Sequence, residues 1–187
     1  MVNIKTYGAP PVSVYNLNRG ISVDDYYGAL ALCEKELCYK VCYIELPVRI
    51  TDDFCDFELF SVNSRDLAKN LRECDRVLLF AATVGVGIDR LIAKYSRISP
   101  SRAVMLDAVG SERIETLCDA FCDDMKGLHN VAIAPRFSPG YGDLPLEIQR
   151  SLMSVLNPQK NIGLSLTDSL LLTPTKSVTA FVGIKKG

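Results

Sequence analysis

Apolar and polar positions alternate along this chain in two rhythms, and the switches between them lay out its elements. Ser22-Val-Asp-Asp-Tyr predicts a helix start, with serine as N-cap and two acids facing the positive end of the helix dipole. Leu30, Cys33 and Leu37 continue the apolar face at helical spacing. Residues 39–50 and 54–62 predict strands; the first alternates in Tyr39, Val41 and Tyr43 and breaks at Pro47. Ser64-Arg-Asp-Leu-Ala-Lys-Asn-Leu reads as a short capped helix, Val77–Ala82 as a buried strand and Gly87–Tyr95 as a helix. A long helical pattern runs from Ser101 to Met125, with Gly110 as a candidate interruption. Val131–Ala134 predicts a short strand, and Leu146–Leu156 a helix that Asn157-Pro158 ends. Two final strands are expected at Ile162–Leu166 and Val178–Ile184. Irregular mixing of strands and helices favours an α+β fold over a regularly wound parallel sheet.

Composition narrows the function classes without choosing one. The 187 residues suit one domain, and 48% hydrophobic with 23% charged residues is ordinary for a globular protein. A net charge of −1 gives no basic excess for nucleic acid. Apolar runs such as Val77–Val84 are far shorter than the ~20 residues that span a bilayer. With no signal-peptide pattern at the N-terminus, a cytoplasmic location is expected. The seven cysteines include no Cys-x-x-Cys and meet a single histidine, so zinc spacing is absent. Cys118 and Cys122, i and i+4 on the long helix, read as buried free thiols.

Several segments are candidates for chemistry. Thr83–Asp89 joins a strand to a helix and carries Gly85 and Gly87, but Arg90 takes the place of the third glycine of a dinucleotide fingerprint. It reads either as a tight structural turn or as the phosphate site of a nucleotide-using α/β enzyme. His129 reads as a solvated turn residue without a carboxylate or cysteine pattern around it. Glu112 and Glu115 follow Gly110-Ser111, either as solvated acids at a helix start or with Glu115 facing inward toward a ligand cation. No set of acid, base and nucleophile is visible.

The segment 135–146, Pro-Arg-Phe-Ser-Pro-Gly-Tyr-Gly-Asp-Leu-Pro-Leu, is the most informative. Pro139-Gly140 predicts a type II turn, because proline fixes φ near −65° and glycine accepts the positive φ that follows. Arg136 and Tyr141 then project from one rigid loop. Arg136 either pairs with a nearby acid such as Asp143 or clamps a carboxylate or phosphate with its planar fork.

Arg136-Phe-Ser-Pro-Gly-Tyr141 resembles the Arg-x-x-Pro-Gly-Tyr motif of the reactivation domain of cobalamin-dependent methionine synthase. Ile162–Ser169 and Pro174–Gly183 are similar to the family's terminal segment, where Pro-x-x-Ser-Val enters the last strand. Ser64–Leu71, Leu79–Gly85, Asp107–Glu112 and Gly140–Leu146 are similar to stand-alone forms of the domain, so the likeness spans about residues 15–185. The resemblance implies a bent, mainly antiparallel sheet flanked by helices, with S-adenosylmethionine in a shallow groove. It implies service to a partner methionine synthase lacking its own reactivation domain, in methionine biosynthesis. An electron from flavodoxin or another donor reduces the partner's inactive cobalamin, which then takes a methyl group from S-adenosylmethionine. By resemblance Arg136 holds the ligand's carboxylate, and Tyr141 lies where the partner's cobalamin docks. Glu115 meets the ammonium or sulfonium, the backbone of Phe137, Ser138 and Gly140 meets the adenine or amino group, and Val182 and Gly183 give backbone contacts. The family's aromatic pair in the last strand is Val182-Gly183 here, and its cobalamin-binding Asp-x-His-x-x-Gly motif is absent. A ligand-free partner domain for another corrinoid protein is the remaining alternative.

Overall fold

The computed structural model describes residues 1–13 and 22–186. Its frame is a four-stranded antiparallel sheet of order β1-β2-β6-β9, built from Asn3–Tyr7, Tyr39–Pro47, Cys74–Thr83 and Ser177–Lys185. The central strand β6 explains the arrangement. Leu78, Phe80 and Ala82 pack on one face against α4 (Pro100–His129), while Val77, Leu79 and Ala81 pack on the other with α2 (Arg65–Leu71) and α5 (Ile148–Leu156). A strand covered on both faces needs apolar residues at every position, which is why it reads as a continuous run rather than an alternation. The α+β expectation holds.

The first core adds Tyr26 and Ala29 of α1 (Val23–Cys33) and Ile88 of α3 (Gly87–Ile98) to Leu106, Leu117 and Phe121 of α4. The second joins Leu67, Leu71, Leu152 and Leu156 to Phe181 of β9. Ser22 and Ser64 are the N-caps the sequence predicts: their Oγ atoms accept from Asp25 N at 3.1 Å and Leu67 N at 3.2 Å.

Four expectations are corrected. The predicted strand 54–62 is a hairpin, β4 (Phe54–Asp56) and β5 (Ser61–Asn63), because Glu58 takes φ +64° and its N–H bonds Asp56 Oδ1 at 3.0 Å. β3 (Arg49–Thr51) joins these two in a small separate sheet beyond Pro47. Ile162 ends a short helix, α6 (Pro158–Ile162), and only Ser165–Leu166 pairs as a strand, β7, with β8 (Leu172–Thr173). Finally, α4 passes through Gly110 without a break. There the missing side chain admits the stem of Lys176: a Cβ would meet its Cγ at 2.9 Å. Lys176 Nζ then reaches Asp107 Oδ1 at 2.7 Å and Ser111 Oγ at 2.9 Å. Gly110-Ser111 is thus mid-helix, not a helix start.

Candidate functional site

Asn130, in the left-handed region at φ 51°, ends α4 and turns the chain back along the free edge of β9. Segment 131–137 pairs there irregularly, through bridges Ile133–Ile184 and Phe137–Phe181, so the short strand expected at 131–134 is an edge strip. Ala134 N donates to Gly183 O at 2.7 Å, and Phe137 exchanges both backbone bonds with Phe181 at 2.9 and 2.8 Å. Alternation along this strip sends Arg136 toward α4 and Phe137 into the second core.

Arg136 is held from α4 on two sides. Its Nη1 donates to Asp119 Oδ1 at 2.5 Å and its Nη2 to Glu115 Oε2 at 2.8 Å. These acids lie four residues apart and so share one helix face. Arg136 is 24% exposed, while each acid is about half exposed. Burial pushes the thiols of Cys118 and Cys122 up, opposed only in part by the charge of Arg136, so neither is poised as a thiolate. A groove of about 480 Å³ runs here between Asp119, Cys122, Lys126, Ile133, Pro135 and Arg136.

Beyond Pro135 lies a second groove, of about 390 Å³, lined by Asp66, Lys69, Asn70, Phe137 and Tyr141. Tyr141 is 70% exposed and meets the Phe137 ring edge-on, with centroids 5.7 Å apart. Asn70 Nδ2 donates to Pro135 O at 3.3 Å, while no donor among the described residues reaches its buried Oδ1. The Pro139-Gly140 turn forms as expected: Gly140 has φ +85° and Tyr141 N donates to Ser138 O at 3.1 Å.

The residues picked from the sequence are therefore partly assembled. Arg136 and Glu115 meet directly, and Phe137, Tyr141 and the turn at Ser138–Gly140 form the adjoining wall. Glu115 is exposed rather than turned inward; Glu112 is the buried acid. Arg136 does not pair with Asp143, whose carboxylate takes N–H groups of Arg65 and Asp66 instead. Val182 is a buried core side chain, and the Gly183 carbonyl is taken by Ala134. The carbonyl of Phe137 is likewise taken by Phe181. His129 is not a solvated turn residue: it ends α4 with its side chain 13% exposed and Nε2 3.4 Å from Glu45 Oε2.

The Thr83–Asp89 junction is closed by its own chain. Gly87 packs on the Glu36 carbonyl with no room for a Cβ, and Asp89 accepts from Thr175 N at 2.8 Å and Thr175 Oγ1 at 2.6 Å. Asp119 escaped the sequence reading although its position four after Glu115 marks the same helix face; Asn70 carries no such signal. Among the described residues no cluster of metal-binding side chains is found, and no helix is long and apolar enough to cross a membrane.

No family model and no curated protein sequence matches the chain. The structure is similar to the crystal structure of the MetH reactivation domain bound to AdoHcy, with a TM-score of 0.76 and 13% sequence identity. The match covers 98% of this chain and 78% of that one, and at this identity it establishes the fold.

Proposed function

We propose that this chain is a binding module for S-adenosylmethionine, which it presents to the corrinoid of a partner methionine synthase for reductive methylation. The observation that carries this is the Arg136–Glu115–Asp119 cluster at the free sheet edge, beside the exposed Tyr141. A guanidinium set among carboxylates matches an amino-acid end, which brings a carboxylate and an ammonium together. The exposed ring of Tyr141, braced edge-on by the buried Phe137, offers an apolar face to a heterocycle. The MetH reactivation domain, whose fold this chain shares, was crystallised with AdoHcy. When bound, the partner's cobalt would supply the nucleophile and the ligand's sulfonium the activated methyl group. This chain's task is then to hold and orient, which needs no acid–base pair of its own.

Equilibrium dialysis tests the ligand. S-adenosylmethionine is expected to bind the wild type and to bind Arg136→Ala about ten- to a hundredfold more weakly, the value of a charge-assisted pair of about 1.5–3 kcal/mol. Absence of binding to the wild type would end the proposal. The partner is tested separately, by whether the module restores turnover to an oxidised methionine synthase lacking a reactivation domain.

A further inference from the structure

We propose that the outer face of α3 is a docking surface for an acidic patch of the partner synthase, separate from the ligand site. This rests on the partner reading above and does not depend on the ligand. Helical spacing divides α3 sharply. Ile88 is buried, and Leu91, Ile92 and Tyr95 pack on the first core. Arg90, Ala93, Lys94 and Arg97, at i, i+3, i+4 and i+7, stand exposed on the opposite side. The helix carries these three cations against one acid, Asp89, in a chain of net charge −1. Asp89 is turned to Thr175, whose N and Oγ1 both donate to it. Arg102 of α4 adds a fourth cation: it and Lys94 lie 6.0 and 5.8 Å from the centre of the Tyr95 ring. Among the described residues none of the four is ion-paired.

Of the acids on neighbouring elements, Asp24 and Asp25 share a groove with Arg102, Asp107 is bonded by Lys176, and Glu36 lies by Gly87 at the start of α3, nearest Arg90. Positive charge is therefore concentrated at the other end, on Lys94 and Arg97. There a hollow of about 390 Å³ opens between Ala93, Lys94, Arg97 and Ile98. Cations near a helix C-terminus answer its dipole, but the dipole does not call for Ile98 at 66% exposure among them. An apolar centre within a charged rim is the pattern of a protein interface. A phosphate backbone or a layer of lipid headgroups would use the cations and leave the apolar hollow idle. The position suits the synthase, because Arg102 and Glu115 lie about 20 Å apart along α4. A partner footprint of about 800 Å² is roughly 30 Å across, so both places fall within the span of one partner. A module serving its synthase as a separate chain also lacks the effective concentration that a linker supplies, and a second contact restores affinity.

The test titrates the module into an oxidised methionine synthase lacking a reactivation domain and reads the concentration that restores half-maximal turnover. Arg90→Gln/Lys94→Gln/Arg97→Gln, which keeps good helix formers, is compared with wild type and with a control of equal charge change elsewhere, Arg49→Gln/Arg72→Gln/Lys186→Gln. Exposed pairs are worth up to about fivefold each, so the α3 variant should need roughly five- to a hundredfold more module at low salt. Its dialysis affinity for S-adenosylmethionine should equal that of the wild type. Added salt should raise the wild-type value toward that of the variant. Ile98→Ser should weaken restoration by a similar factor at every salt concentration. A variant that restores turnover as the wild type does, or no better and no worse than the control, would overturn the docking face and leave the partner reading standing. Binding of the wild type to phosphatidylglycerol vesicles or duplex DNA, lost in the variant while restoration is unchanged, would assign the face to a lipid or nucleic acid and also overturn it. A wild type that restores no turnover would overturn the partner reading, and the docking face with it, while leaving the ligand to its own test.

Discussion

Glu112 and Arg113 are buried to 2% and 1% exposure, an unusual place for adjacent charges on a helix. Arg113 donates to Glu112 through Nε at 2.5 Å and Nη2 at 2.6 Å, and also reaches the carbonyls of Pro10 at 2.7 Å and Pro11 at 3.3 Å. Glu112 further accepts from the Tyr26 hydroxyl, from Thr116 Oγ1 at 2.7 Å and from Ser13 N at 3.0 Å. The pair thereby ties residues 10–13 and α1 to the middle of α4. Removing one member strands the other charge, a loss of about 3–5 kcal/mol. Glu112→Gln should therefore lower the urea midpoint far more than Glu115→Gln, whose carboxylate is half exposed. Burial raises the carboxyl pKa of Glu112, but the donors around it outweigh burial and hold it below its ordinary value. Its contribution is thus complete above the ordinary glutamate range and is lost as pH falls through the depressed folded value. Stability measured against pH should be flatter in that acid window for Glu112→Gln than for wild type; equal slopes would speak against an ionised Glu112. The sequence reads Glu112 as a solvated acid because two of the partners that meet it in the interior, Tyr26 and Ser13, lie 86 and 99 residues away. Nothing local announces them.

Caps show where local signals suffice. Ser64 accepts from Leu67 N at 3.2 Å and donates to Asp143 Oδ1 at 2.5 Å, while Asp143 also accepts from the N–H groups of Arg65 and Asp66. The loop bearing Tyr141 thus completes the N-terminal cap of α2. Ser64→Ala should cost about 1 kcal/mol in denaturant unfolding. The hydrogen bond from Ser64, with the backbone donors, holds the Asp143 carboxyl below its ordinary value. The cap's charge contribution is present above that ordinary value and lost as pH falls through the lowered folded one. Melting temperatures of wild type and Asp143→Asn should differ at neutral pH and converge in acid; a constant gap would exclude the charge. The Ser64 cap, the Pro139-Gly140 turn and the buried run of β6 were legible because each depends on neighbours in sequence. The hairpin at 54–63 and the unbroken passage of α4 through Gly110 were not. One turns on a single positive φ at Glu58, the other on a lysine stem arriving from residue 176. The site divides the same way: its loop was readable, whereas the pairing of Arg136 with Asp119 required α4 to lie alongside.

The two cores share one spine. β6 and β9 each send alternate side chains to both, with Val182 and Ile184 on the α4 face and Phe181 opposite. The site sits on the free edge of that spine, Arg136 over the α4 face and Phe137 within the other core. Two cores separated only by a shared sheet should melt as one unit, since neither keeps its inner wall when the other is lost. Leu106→Ala in one core and Leu152→Ala in the other should each cost about 2–5 kcal/mol. Both should shift a single calorimetric transition rather than split it. A ligand binding the edge strip is coupled to the same unit, so S-adenosylmethionine at a hundred times its Kd should stabilise the whole by about 2.7 kcal/mol. That gain should be equal in both core variants, because neither leucine touches the grooves. Two resolved transitions, or a ligand shift confined to one variant, would show that the halves unfold separately and that the edge strip belongs to only one of them.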